Sequence, residues 1–221
     1  MLFDLKGKRR RTVQVTYVGL AFLMAAGLIG AGIGSGTSGG IFDLFGGGSG
    51  KSTANKTVEK RITVAEKALR INPKNQAALI TLVRSHYTLA SADANQTTGQ
   101  FGKDGKKELA KASAAWQRYL AANPKKPDPS LAAVMLVAYS KVGLNQPTGA
   151  ARTAEIIATD ANTAAAYIRW AACSTLAGQT RKATLAGQRA IQLANKAQKA
   201  AAKQEVKAAT SAATAAQYCS G

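Results

Sequence analysis

Residues 12–34 carry no charged side chain, and this stretch constrains the chain more than any other feature. Its 23 positions hold 15 apolar residues, five glycines and only Thr12, Gln14 and Thr16 as polar side chains. As a helix it spans about 34 Å at about 1.5 Å per residue, enough to cross a hydrocarbon core. The residues before it, MLFDLKGKRRR, end in a basic cluster. Basic flanks stay in the cytoplasm, so the segment is expected to be an uncleaved signal-anchor that sends its C-terminal side out. A cleaved secretory signal is the competing reading. Its apolar stretch usually runs about 7–15 residues to a small-x-small site, and Ala25, Gly27, Gly30 and Gly32 offer only a diffuse one. A buried core helix fits worse, because the segment is apolar on every face. Gly30 and Gly34 have GxxxG spacing, which is common in membrane helices generally.

Residues 35–50, SGTSGGIFDLFGGGSG, have the glycine and serine composition of a flexible tether, interrupted by Ile41, Phe42, Leu44 and Phe45. The string GGGSGKS at 46–52 invites a phosphate-loop reading. That pattern needs a glycine five places before Gly50, where this chain has Phe45, and no strand precedes it. The expected organisation is a cytoplasmic tail 1–11, a transmembrane helix 12–34, a linker 35–56 and a folded domain 57–221.

From residue 57 on, apolar residues recur at three- and four-residue spacing, with proline and glycine between the runs. The pattern predicts helices at 57–71, 75–91, 106–122, 129–143, 147–160, 163–177, 180–195 and 198–218. Short gaps make neighbours antiparallel. Because aromatics are only 6% of the chain, the core must come from many small contacts. An internal repeat runs through the pattern. Ala112, Trp116, Tyr119 and Leu120 share their spacing with Ala150, Ala154, Ile157 and Ala158, and with Ala183, Gly187, Ala190 and Ile191. Ala65, Ala68 and Leu69 supply the end of an earlier copy, and Pro73 and Pro124 follow Leu69 and Leu120 at the same distance.

The segments AEKALRINPKN and ASAAWQRYLAANPKK resemble the second helix of the tetratricopeptide repeat with its terminal proline. The resemblance covers about 58–195. It implies an all-α fold in which antiparallel helix pairs stack as an α-solenoid, with 198–218 as the capping helix. The first-helix signature is blurred, and roughly 17 extra residues at about 91–107 enter the first pair. Within that insertion Asp93, Asn95 and Thr97 alternate like the start of a calcium loop, but the turn glycine is displaced to Gly99 and the closing glutamate is missing. A surface loop is expected there.

The resemblance also implies which residues line the inner face: Arg84, Tyr87, Tyr139 and Arg169 are the partner-contact candidates. Positions that grip a C-terminal carboxylate in some members read Ile80 and Arg84, Ala132 and Leu136, Ile168 and Ala172, so that mode is not expected. In such a stack Cys173 and Cys219 come to similar heights on adjacent helices. A disulfide between them is expected if the domain is exported, the alternative being two separate buried thiols. The lone histidine, His86, has no second ligand near it in sequence and reads as a packed or surface residue. There is no CxxC, no histidine–nucleophile pairing and no paired carboxylates, so no enzyme, metal or cofactor is expected.

Residues from 51 onward carry 25 basic against nine acidic residues, most of the net charge of +19. Together these features resemble bacterial membrane-anchored tetratricopeptide proteins that assist secretion or envelope assembly. The expected function is a scaffold or adaptor with a protein or peptide partner at the outer face of the cytoplasmic membrane. The alternative is electrostatic attachment of the basic domain to an anionic envelope polymer or lipid. Nucleic acid fits poorly, since the lysines are spread along helices without stacking aromatics.

Overall fold

The computed structural model describes residues 51–220. The expected tail, membrane span and most of the tether lie outside these residues, and no helix among the described ones is long and apolar enough to cross a membrane. The described part is all-helical: α1 Lys51–Ile71, α2 Gln76–Ala92, α3 Lys103–Ala121, α4 Pro129–Tyr139, α5 Pro147–Ala161, α6 Ala164–Leu176, α7 Thr180–Leu193, α8 Lys199–Ala209 and α9 Ala215–Ser220.

Local chemistry explains most of the helix ends. Asn75 caps α2 by accepting from the Ala78 amide at 3.1 Å. Asp128 caps α4 through the amides of Ser130 and Leu131, with Pro129 in the first turn where its missing N–H costs nothing. Thr163 caps α6. Asn123 and Asn162 take up left-handed backbone just past α3 and α5, a conformation asparagine tolerates better than most residues.

Helices α1 to α7 pack mainly on their sequence neighbours, α2 also meets α4, α6 meets α8, and α9 packs mainly on α6. Trp116, Tyr139, Leu79, Leu109, Leu131 and Met135 are fully buried. Around them the positions of the repeat are all buried or half-buried, alanine for the most part. Small residues there let the helices cross closely: a Cβ added to Gly187 on α7 would lie 2.6 Å from Val206 on α8.

Four expectations on helix limits need correction. The helix expected at 57–71 begins at Lys51, so residues 51–56 of the expected tether are helical. The helix expected at 129–143 ends at Tyr139, because Leu144 and Gln146 donate back to the carbonyls of Ala138 and Tyr139 and close a turn. The single helix expected at 198–218 is broken into α8 and α9. Thr210, Ser211 and Thr214 turn their hydroxyl or amide groups onto carbonyls of α8, stopping an alanine run that would otherwise continue. The insertion contracts to 93–102 and is ordered. Asn95 accepts from the amides of Thr97 and Thr98, Ala94 bridges Phe101, and Phe101 is buried against Tyr87. Asp93 accepts from the Gly105 amide in the first turn of α3, which uses the carboxylate that a calcium reading would need.

Gly149 tests the packing. It lies against the face of the Tyr139 ring, where an added Cβ would sit 2.8 Å from ring carbons. Alanine normally stabilises a helix by about 0.5–1 kcal/mol over glycine. Here the ring must move, so Gly149→Ala is expected to lower stability by about 1–3 kcal/mol in urea denaturation. A stabilised variant would show that this crossing is loose.

Candidate functional site

The structure separates the four partner-contact candidates. Arg84 is exposed but engaged, with Nη2 3.2 Å from Asp128 Oδ2 and 3.3 Å from Ser130 Oγ, joining α2 to the start of α4. Tyr87 is half-buried against Phe101. Tyr139 cannot serve as a contact residue: it is 2% exposed, and its hydroxyl meets Ser113 Oγ at 2.8 Å and accepts from Gln117 Nε2 at 3.2 Å. The early end of α4 turns this tyrosine inward as a tie to α3. Arg169, half-buried on α6, makes no ion pair among the described residues. Cys173 and Cys219 form a disulfide that joins α6 to α9.

A different place concentrates chemistry. α1, α2 and α3 enclose an open cleft of about 510 Å³. Ile62, Leu82, Leu89 and Ala115 give it apolar walls, while Glu59, Glu66 and Arg118 bring charge to it. His86 also lines it, 7% exposed, with Nδ1 2.7 Å from Glu108 Oε2. Lys111 Nζ donates to the other oxygen of Glu108 at 2.6 Å.

Burial pushes the Glu108 carboxyl up, but the hydrogen bonds from Lys111 and His86 and their charges outweigh it, and Glu108 stays below the ordinary glutamate value. An ionised carboxylate only accepts, so Nδ1 of His86 carries the proton facing it. The other ring nitrogen of His86, Nε2, has no hydrogen-bond partner among the described residues.

Asp128 behaves like Glu108. Burial raises its pKa, but hydrogen bonds from Ser130 and Leu131 and the charge of Arg84 bring it down. Both carboxyls are depressed in the fold, so the unfolded chain takes up protons first as pH falls. Their stabilisation is complete above about pH 5 and is lost as pH drops through about 4 toward the folded values. Urea midpoints should fall over that window, and by less in Glu108→Gln. An identical pH dependence in the variant would show that Glu108 contributes nothing.

Sequence reasoning missed this cleft. Glu108 and Lys111 stand in i,i+3 register on α3, a readable pair, but His86 is 22 residues away across the insertion. Nothing local links it to Glu108. Among the described residues no group of three or more His, Cys, Asp or Glu side chains is placed to hold a metal ion. No family model matches this chain, and no curated protein or solved structure matches it either.

Proposed function

We propose that this chain is a membrane-tethered, tetratricopeptide-like scaffold that holds a protein or peptide partner at the outer face of the cytoplasmic membrane, in the service of secretion or envelope assembly. The α1–α3 cleft carries this reading, because it joins apolar walls to the charged side chains of Glu59, Glu66 and Arg118, which make no ion pair among the described residues. Stacked helix pairs are supported by the contacts between alternate helices, α2 with α4 and α6 with α8, and by the small residues at the repeat positions. Placement outside the cytoplasm rests on the basic cluster before residues 12–34 and agrees with the Cys173–Cys219 disulfide, a bond that persists in oxidising compartments. Of the residues first expected, Tyr139 is internal, while Arg84 pairs with Asp128 and remains exposed.

One observation favours a second reading. The excess of 25 basic over nine acidic residues from residue 51 onward suits attachment to an anionic polymer or lipid. Salt separates the two. The full chain, purified in detergent from its own membranes, should keep a defined protein partner through a wash at about 0.5 M salt, where screening acts within about 4–5 Å. Loss of all bound material, with only anionic polymer in the eluate, would establish attachment instead.

A further inference from the structure

We infer that the outer face of α1 rests on acidic phospholipid at the surface of the membrane that tethers the chain. The inference relies on the tethered placement and holds whatever the cleft receives. α1 is the first helix of the stack and packs mainly on α2. Val58, Ala65 and Leu69, all buried, and half-buried Ile62 make its packed face. Lys56, Lys60, Val64, Lys67 and Ile71 also recur every three or four residues, about half a turn away, so they share the opposite face. All five are exposed.

Charge is sorted around this helix. Its only acids, Glu59 and Glu66, line the cleft on one flank. The outer face carries none, and Arg61 and Arg70 add cations at its margins. Lys56, Lys60, Arg61, Lys67 and Arg70 are all exposed and make no ion pair among the described residues. Such a face is complementary to an anionic surface, and the sorting decides which side of the helix meets it.

Two apolar side chains make that surface a bilayer rather than a soluble polymer. Val64 and Ile71 stand among the lysines, 67% and 88% exposed, and Ile71 is the most exposed large hydrophobic residue among those described. A polyanion in solution offers them nothing. Basic helices with apolar residues on the same face insert those residues at the headgroup boundary, while the lysine stems lie along them and hold the charges at the phosphates.

Position in the chain agrees with this occupant. Residues 35–50 alone separate the charge-free stretch from α1, about 55 Å at full extension. No other described helix lies so near that stretch along the chain. With this face on lipid, the cleft on the flank of α1 opens beside the membrane surface.

The test uses the full chain reconstituted into vesicles of zwitterionic lipid, with or without about 30% acidic phospholipid. A photoreactive residue replaces Val64 or, as a control, the exposed Leu185 of α7, and mass spectrometry counts lipid adducts after irradiation. In acidic vesicles Val64 should give at least about ten-fold more lipid adducts than Leu185, an excess absent from zwitterionic vesicles. Lys56→Gln, Lys60→Gln and Lys67→Gln together should remove the excess, since each lysine near an anionic surface contributes a factor of about five. Ile71→Ser should lower it about three-fold. Adducts unchanged in Ile71→Ser would show a surface that any polyanion could cover and would overturn the assignment to lipid. Equal adducts at Val64 and Leu185 in vesicle-bound chain would overturn the docking and leave the tether standing. Recovery of the chain outside the vesicles would remove the tether and this inference together.

Discussion

Trp116→Ala is expected to lower the unfolding free energy by about 3–5 kcal/mol, the usual cost of emptying a large aromatic site. Trp116 is fully buried on α3 and stacks on Tyr119 with ring centroids 5.4 Å apart. The Tyr119 hydroxyl accepts from the Asp128 amide at 3.0 Å, and Asp128 in turn caps α4 and pairs with Arg84 of α2. A cavity at Trp116 therefore loosens the support for α2, α3 and α4 together. The core is otherwise made largely of alanine, so neighbouring side chains are too short to collapse into the space. A small offset comes from the indole N–H, which is buried without a hydrogen-bond partner and would be removed. Trp116→Phe should cost clearly less. Domains are stable by only about 5–15 kcal/mol, so the alanine variant should unfold at much lower urea, followed by far-UV circular dichroism. A loss below about 1 kcal/mol would contradict the close packing described for α3.

Replacing both Cys173 and Cys219 by serine has the next largest expected effect. The bond spans 46 positions, and a loop of that length gives an upper estimate of about 4 kcal/mol from chain entropy alone. The consequence should be local. α9 has six residues, of which only Ala215 and Cys219 are buried, and a helix so short does not hold itself together in water. Without the bond, α9 should detach from α6, while α1–α3 stay packed because α9 rests mainly on α6 and α8. Hydrogen exchange should show α9 amides unprotected in the double variant and α3 amides protected as before at low denaturant. Protection lost evenly along the chain would mean that the bond holds the whole stack.

The sequence was most legible where structure is set by neighbours within a few residues. The ends of helices near Pro73, Pro124 to Pro129 and Gly178 follow from turn and cap chemistry that is local. The repeated small and aromatic positions follow from the need of each second helix to fit between two others. Legibility failed where contacts between distant residues decide. Residues 198–218 read as one helix because alanine and lysine favour helix throughout, and the break comes from three hydroxyl-bearing residues competing for carbonyls. Tyr139 stood at a position expected to face a partner, but α4 stops there and the chain turns back over it. His86 and Glu108 meet only because an ordered insertion, pinned by Phe101, brings α3 against α2.

The most direct measurement is site-specific photo-crosslinking in intact cells with the native tether kept. The photoreactive residue is introduced in place of Thr63, which is exposed in the cleft, or of Gln204, which is exposed on α8. A scaffold that works through the cleft gives one or a few discrete protein adducts at Thr63, resistant to high salt, and none at Gln204. Heterogeneous anionic material captured equally at both positions, and absent when the cells are irradiated in high salt, would contradict it.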